Sequence, residues 1–159
     1  MRSIRQLSSA LLLVLPFLAG CGQQNGEGTS GSDNAPTSAP VVLEGTAWQL
    51  VDITVLGGYV FTPDDGSRYN LRFRSENRLV GSSDCNRIGA TWRHEGESLT
   101  LEQFATTNDM CPPGTLHNHF VSNLMNVNSM TSDGERLVFG TTMDGVRIVF
   151  EPLAPGTAL

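Results

Sequence analysis

The sequence has no lysine; all ten of its basic residues are arginine. That absence rules out a Schiff-base lysine, a Walker-type phosphate lysine and a Ser-Lys dyad. No apolar run approaches the roughly 20 residues that a membrane-spanning helix requires. Cysteine is scarce, three in 159 residues, so each one can be accounted for individually. Neither a Gly-x-Ser-x-Gly elbow nor a glycine-rich phosphate loop is present. Asp and Glu number sixteen, yet none falls into a spacing that marks a glycosidase, an aspartyl protease or a calcium loop. The formal charge of −6 argues against nucleic acid and anionic headgroups as partners.

What is present begins with "MRSIRQLSSALLLVLPFLAGC". Arg2 and Arg5 give a basic start, and Ala10 to Leu18 gives a short apolar run, the pattern of an export signal. Leu18-Ala19-Gly20-Cys21 resembles the bacterial lipobox, in which a signal peptidase cuts just before a lipid-bearing cysteine. The resemblance implies a signal peptide over residues 1–20 and a mature chain that starts at acylated Cys21, anchored by its acyl chains rather than spanning the bilayer. Gly22 in place of Asp after the cysteine favours the outer membrane, with the protein facing the periplasm. Loss of the signal removes Arg2 and Arg5 and no acid, leaving eight arginines against sixteen acids and a formal charge of −8. Residues 21–40 then read as lipidated cysteine plus flexible tether: Gly22 to Pro40 lacks any large apolar residue. Its random-coil reach is roughly 25 Å.

Residues 41–153 have the length of one small domain, followed by a C-terminal tail over 154–159. Its periodicity is mostly two. In "YNLRFR", Tyr69, Leu71 and Phe73 share one face while Asn70, Arg72 and Arg74 share the other. A turn followed by alternating apolar residues recurs in "ENRLVG", "GESLTL", "GERLVF" and "DGVRIVF", the last preceded by the hairpin turn Met143-Asp144-Gly145. "PPGTLHNHFVSNLMNVNSM" departs from this. Leu116, Phe120, Val121, Leu124, Met125 and Val127 fall at helical spacings after a candidate N-cap at Thr115. The expected fold is α+β: a curled antiparallel β-meander or open small barrel with one long helix packed across it.

If lipid occupies Cys21, only Cys85 and Cys111 remain, in an oxidising compartment, and a disulfide between them is the economical reading. About 27 residues in the closed loop would contribute about 3.5 kcal/mol, an upper-end figure because native strain subtracts from it. Two alternatives compete with it. A metal site could draw on Cys111, His117 and His119, but histidines two apart on a helix diverge, and solvent-facing histidines are the simpler reading. A Cys85 nucleophile would need His94 as its base.

Four stretches in order, "LEGTAWQLVDI", "LRFRSENRLVGSSDCNRIGATW", "MCPP" and "LVFGTTMDGVRIVFEP", together resemble the META domain of the heat-shock protein HslJ family, across nearly all of Leu43 to Pro152. The motif positions are Gly45, Thr46, Trp48, Leu50, Gly81, Asn86, Arg87 and Pro112. Gly45 and Thr46 read as a strand start ahead of the core residues Trp48 and Leu50. Asn86 can bond its own turn backbone, and Arg87 either pairs with a carboxylate or stands solvated. Asp84 stands where the family usually has Gly, a position whose left-handed backbone Asp tolerates. Ala90-Thr91-Trp92 replaces the family's Gly-x-Tyr, and His117 and His119 stand where acids are common. The resemblance implies a small, exported, often lipid-anchored α+β domain associated with envelope stress and does not imply a reaction; no cofactor or metal is expected. The expected role is a non-enzymatic binding or protective one, with the membrane and an envelope protein, lipid or peptide as partners. The alternatives are a pilotin-like lipid or peptide binder, which needs an apolar groove beside the helix, and a lysozyme-inhibitor-like lipoprotein.

Overall fold

The computed structural model describes residues 41–156. The signal peptide, Cys21, the tether and the last three residues of the tail lie outside the described residues. Among the described residues, nine strands and one α-helix follow one another: β1 (Ala47–Thr54), β2 (Val60–Phe61), β3 (Tyr69–Phe73), β4 (Arg78–Ser83), β5 (Asn86–Glu95), β6 (Ser98–Thr106), α1 (His117–Leu124), β7 (Val127–Ser132), β8 (Leu137–Thr141) and β9 (Arg147–Pro152). All pairings are antiparallel. The order β1-β3-β4-β5-β6-β7-β8-β9 is an up-and-down meander, and a further pairing of β1 with β9 closes it into an eight-stranded barrel, with β2 a short appendage on β1.

The expected open barrel is therefore closed. The reason lies in β1, whose first half offers one edge to β3 (Trp48↔Leu71) while its other edge pairs with β9 from Trp48 to Thr54. A register shift between Leu50 and Asp52 bends β1, and bulges of this kind let a strand follow a barrel wall. Closure is thinnest between β6 and β7, which pair only at Ser98↔Ser129.

Alternation fills the interior. Trp48, Leu50 and Ile53 of β1, Leu71 and Phe73 of β3, and Ile148 and Phe150 of β9 all point inward with Leu79, Leu99, Leu137 and Phe139. Each fully buried side chain of this size contributes roughly 1.5–3 kcal/mol. Rings interlock: Phe139 and Phe150 lie 4.8 Å apart, and Phe73 meets Trp92 edge-on at 5.5 Å.

Strand directions define two ends. Thr54, Ser83, Thr106, Val127, Thr141 and Arg147 gather at one end, here called the apex, together with α1. Ala47, Phe73, Arg78, Glu95, Ser132, Leu137 and Pro152 mark the base, where Val41 comes in and Leu153 leaves.

The helix is shorter than its sequence pattern. It stops at Leu124; Met125 is 60 % exposed rather than part of the buried stripe, and Val127 opens β7. The apolar spacing of Val127 and Met130 suits a helix face locally, but β7 pairs five of its residues with β8, a ladder that a longer helix would forgo. Phe120 and Leu124 carry the packing. Both are fully buried, with Phe120 against Tyr69 at 5.6 Å and Phe150 at 6.1 Å, so α1 plugs the apex.

Candidate functional site

The apex is where the residues singled out from sequence converge. Cys85 follows Asp84 in the turn between β4 and β5, and Cys111 lies in the long connection before α1; the two are joined in a disulfide across 26 residues. Asp84 takes φ +60°, the left-handed conformation for which its residue type is suited. Its buried carboxylate forms an ion pair with Arg68, and its amide donates to the Arg68 carbonyl at 2.9 Å.

The Asn86 side chain does not bond the backbone of its own turn, where its Nδ2 reaches the Cys85 sulfur at 3.4 Å. It is buried and reaches across: its Oδ1 accepts from the Asp109 amide at 2.7 Å and the Thr107 hydroxyl at 2.9 Å, and its Nδ2 donates to the Asp109 carbonyl at 3.1 Å. Nδ2 also lies 3.1 Å from Cys111 Sγ. One amide thus fixes the loop that brings Cys111 to Cys85. The Arg87 side chain is exposed, and no carboxylate pairs with it among the described residues; its backbone instead exchanges bonds with Thr107. Pro112 is exposed just past the disulfide, where a missing amide donor leaves no backbone bond unmade.

Of four further apical contacts, three carry no sequence signal and the one at Thr115 is that of the candidate N-cap. The Tyr69 hydroxyl accepts the Leu116 amide at 2.8 Å, satisfying a donor at the start of α1 that Leu116 cannot cap itself. Thr115, one residue earlier than a formal cap, accepts from the His117 amide at 3.1 Å. Ser83 Oγ and His117 Nδ1 share a hydrogen bond of 2.9 Å, so His117 faces the barrel rather than solvent. His119 is exposed but stacks on Phe61 at 4.0 Å, pinning β2 to α1.

The base holds the other motif residues. Gly45 adopts φ +82° and donates to the Phe73 carbonyl, and the Thr46 hydroxyl receives the Trp48 indole N–H at 2.8 Å. Trp48 and Leu50 are buried. Gly81 sits in β4 against β3, where any Cβ would collide with the Asn70 carbonyl. Gly is required there by close backbone approach, not by turn geometry.

Chemically, these arrangements are braces. Cys85 is oxidised and lies at the apex, whereas His94, opposite Leu99, lies near the base; nine residues of β5 at ~3.3 Å each separate them by roughly 30 Å. The Ser83–His117 pair cannot serve as a nucleophile because Ser83 is 0 % exposed. No group of three or more His, Cys, Asp or Glu is placed to hold a metal ion among the described residues. A small polar cleft of about 100 Å³ lies between Asp64, Asp65, Arg68, Asp84 and Pro112, with the only positive charge among these residues already paired.

A closed eight-stranded antiparallel barrel with a short helix plugging one end and a disulfide tying that helix to a strand turn defines a small β-barrel domain. Residues 41–154 match the META domain family, and the chain belongs to it. No curated protein matches the sequence. The fold is similar to an NMR structure of a protein from Burkholderia xenovorans, with a TM-score of 0.60 at 16 % identity over 75 % of this chain and 97 % of that one. It is also similar to a crystal structure of a DUF4847 family protein from Bacteroides vulgatus, with a TM-score of 0.51 at 17 % identity over 69 % of this chain and 94 % of that one. At these identities the likeness is one of fold alone.

Proposed function

We propose that this chain is a lipid-anchored, non-enzymatic binding protein of the bacterial envelope, held at the periplasmic face of the outer membrane by acylated Cys21 and protective under envelope stress. Its location rests on Leu18-Ala19-Gly20-Cys21 and the tether-like stretch after it. Its mode of action rests on one structural observation: the barrel interior is packed with Leu, Ile, Phe and Trp side chains and capped by Phe120 and Leu124. A barrel filled in this way does not enclose a ligand, so binding must use its outside. The same packing disfavours a pilotin-like lipid cradle inside the domain.

The test joins location to binding. Metabolic labelling with palmitate should mark the wild-type chain and not Cys21→Ser, and cross-linking in intact envelopes should recover a defined partner only with the anchored form. Palmitate incorporation by Cys21→Ser, or turnover of an envelope substrate lost on a single cleft substitution, would overturn the reading. Undiminished lysozyme activity in the presence of the purified protein would remove the inhibitor alternative.

A further inference from the structure

The exposed apolar side chains are unevenly placed. Among the described residues, Leu56, Tyr59, Val60, Met110, Met125 and Met143 stand in solvent on segments that emerge at the apex, while Val42 is their counterpart at the base. Leu56 and Tyr59 are 73 % and 72 % exposed, flanking Gly57 and Gly58 at the tip of the β1–β2 hairpin. Local contacts join most of these residues into one rim. The Phe61–His119 stack links the hairpin to α1, the Thr142 amide donates to the Asn126 carbonyl at 2.9 Å beside Met125, and Arg147 Nε reaches Thr54 Oγ1 at 3.4 Å. Hairpin, helix end and β8–β9 turn thus surround one apolar rim.

Acids outnumber bases along its border. Asp64 and Asp65 follow the hairpin, Asp109 precedes Met110 and Asp144 adjoins Met143, against exposed Arg87 and Arg147, while the nearby Arg68 is taken up by Asp84. Thioether and aromatic side chains adapt to varied apolar surfaces, and an acidic border steers a basic one.

We propose that this apical rim is the docking surface for a partner protein whose contact segment is apolar and flanked by Lys or Arg. The proposal rests on the binding-protein reading above and names its surface. A bilayer fits less well, since acids would meet anionic headgroups and the chain comes into the domain at the opposite end. A second copy fits less well because a two-fold interface would set the acidic excess of one border against that of the other.

The experiment uses the full-length lipidated chain in zwitterionic lipid nanodiscs and two synthetic amphipathic peptides, one of Leu and Lys and one of Leu and Glu, with empty discs as the blank. The Leu/Lys peptide should slow amide exchange at residues 55–61 and 141–146, and the Leu/Glu peptide should not. The combined change Leu56→Gln, Tyr59→Gln and Met125→Gln should weaken that binding at least tenfold, and Val42→Gln should leave it unchanged. Equal response to both peptides, response to neither, or protection centred on the base would overturn the proposal. So would the same apical protection without peptide, whether on switching to anionic discs or on raising protein concentration. A partner cross-linked from the envelope through basal positions alone would overturn this surface while leaving the binding-protein reading in place; absence of cross-links from every position would overturn both.

Discussion

At the base of the barrel the strands are joined by tight turns over residues 74–77, 96–97 and 133–136, whereas at the apex the chain wanders through 107–116 before α1 begins. The basal turns satisfy themselves locally. Glu76 and Asn77 both take positive φ, the Arg74 amide donates to the Arg78 carbonyl and the Arg78 amide to the Ser75 carbonyl, and Asp133 accepts from the amides of Glu135 and Arg136. The apical excursion cannot do this over such a length, so partners distant in sequence secure it: Cys85 to Cys111, Asn86 to Asp109, Tyr69 to Leu116 and Ser83 to His117. The difference teaches that the basal turns are held by local backbone geometry and the long apical excursion by a few side chains distant in sequence. The end that needs bracing is also the one that displays apolar surface.

The largest expected effect comes from removing the covalent brace. Replacing both Cys85 and Cys111 by Ser should lower stability by about 3 kcal/mol, from a closed loop of about 27 residues. Urea unfolding with and without reductant measures it. Amide exchange should accelerate in 107–124 far more than in the basal turns; equal acceleration at both ends would break the contrast. Asn86→Ala comes next, at roughly 2 kcal/mol, because it strands bonding groups in the loop it organises. The variant should also slow oxidative refolding, read as the half-time of thiol loss. Gly45→Ala at the base should cost about 1–2 kcal/mol through its left-handed backbone. Its effect on exchange should stay within 43–46 and the adjoining end of β3, leaving α1 untouched.

Much of this architecture is legible in the residues. Alternation in Tyr69–Phe73 gives both the strand and its buried face, and counting cysteines gives the disulfide pair once Cys21 is set aside. Closure is not legible, because it depends on β1 meeting β9 about a hundred residues later, with Gln49 donating to Glu151 at 2.7 Å, and no local pattern records a partner so distant. The helix boundary is ambiguous for a related reason: Leu124, Val127 and Met130 fit a helical stripe, and only pairing with β8 decides for strand at Val127. Asn86 has the residue type of a turn-former, yet its bonds go to 107–109, a choice fixed by where the disulfide holds that loop. The apolar rim is hidden for the opposite reason. Val60 and Phe61 are both apolar, but β2 is only two residues long and lies on the outer edge of β1, so burial never reaches Val60.

The smallest predicted effect separates the two ends by proton titration. The Ser67 hydroxyl and amide hold the Asp65 carboxyl below its ordinary value at the apex, and the amides of Arg136 and Glu135 do the same for Asp133 at the base. A depressed folded-state pKa means stability that is present above the ordinary Asp value of about 4 and lost as pH falls through the folded value. Both groups are fully exposed, so the loss is slight and is best read directly from carboxyl chemical shifts. Ser67→Ala removes the strongest contact to Asp65 and should raise its midpoint part of the way, since the residue 67 amide still donates. Asp133 should not move, because its two donors lie in its own turn. A parallel rise at Asp133 would mean that the ends communicate through the barrel wall, and the division between a self-sufficient base and a braced apex would then fail.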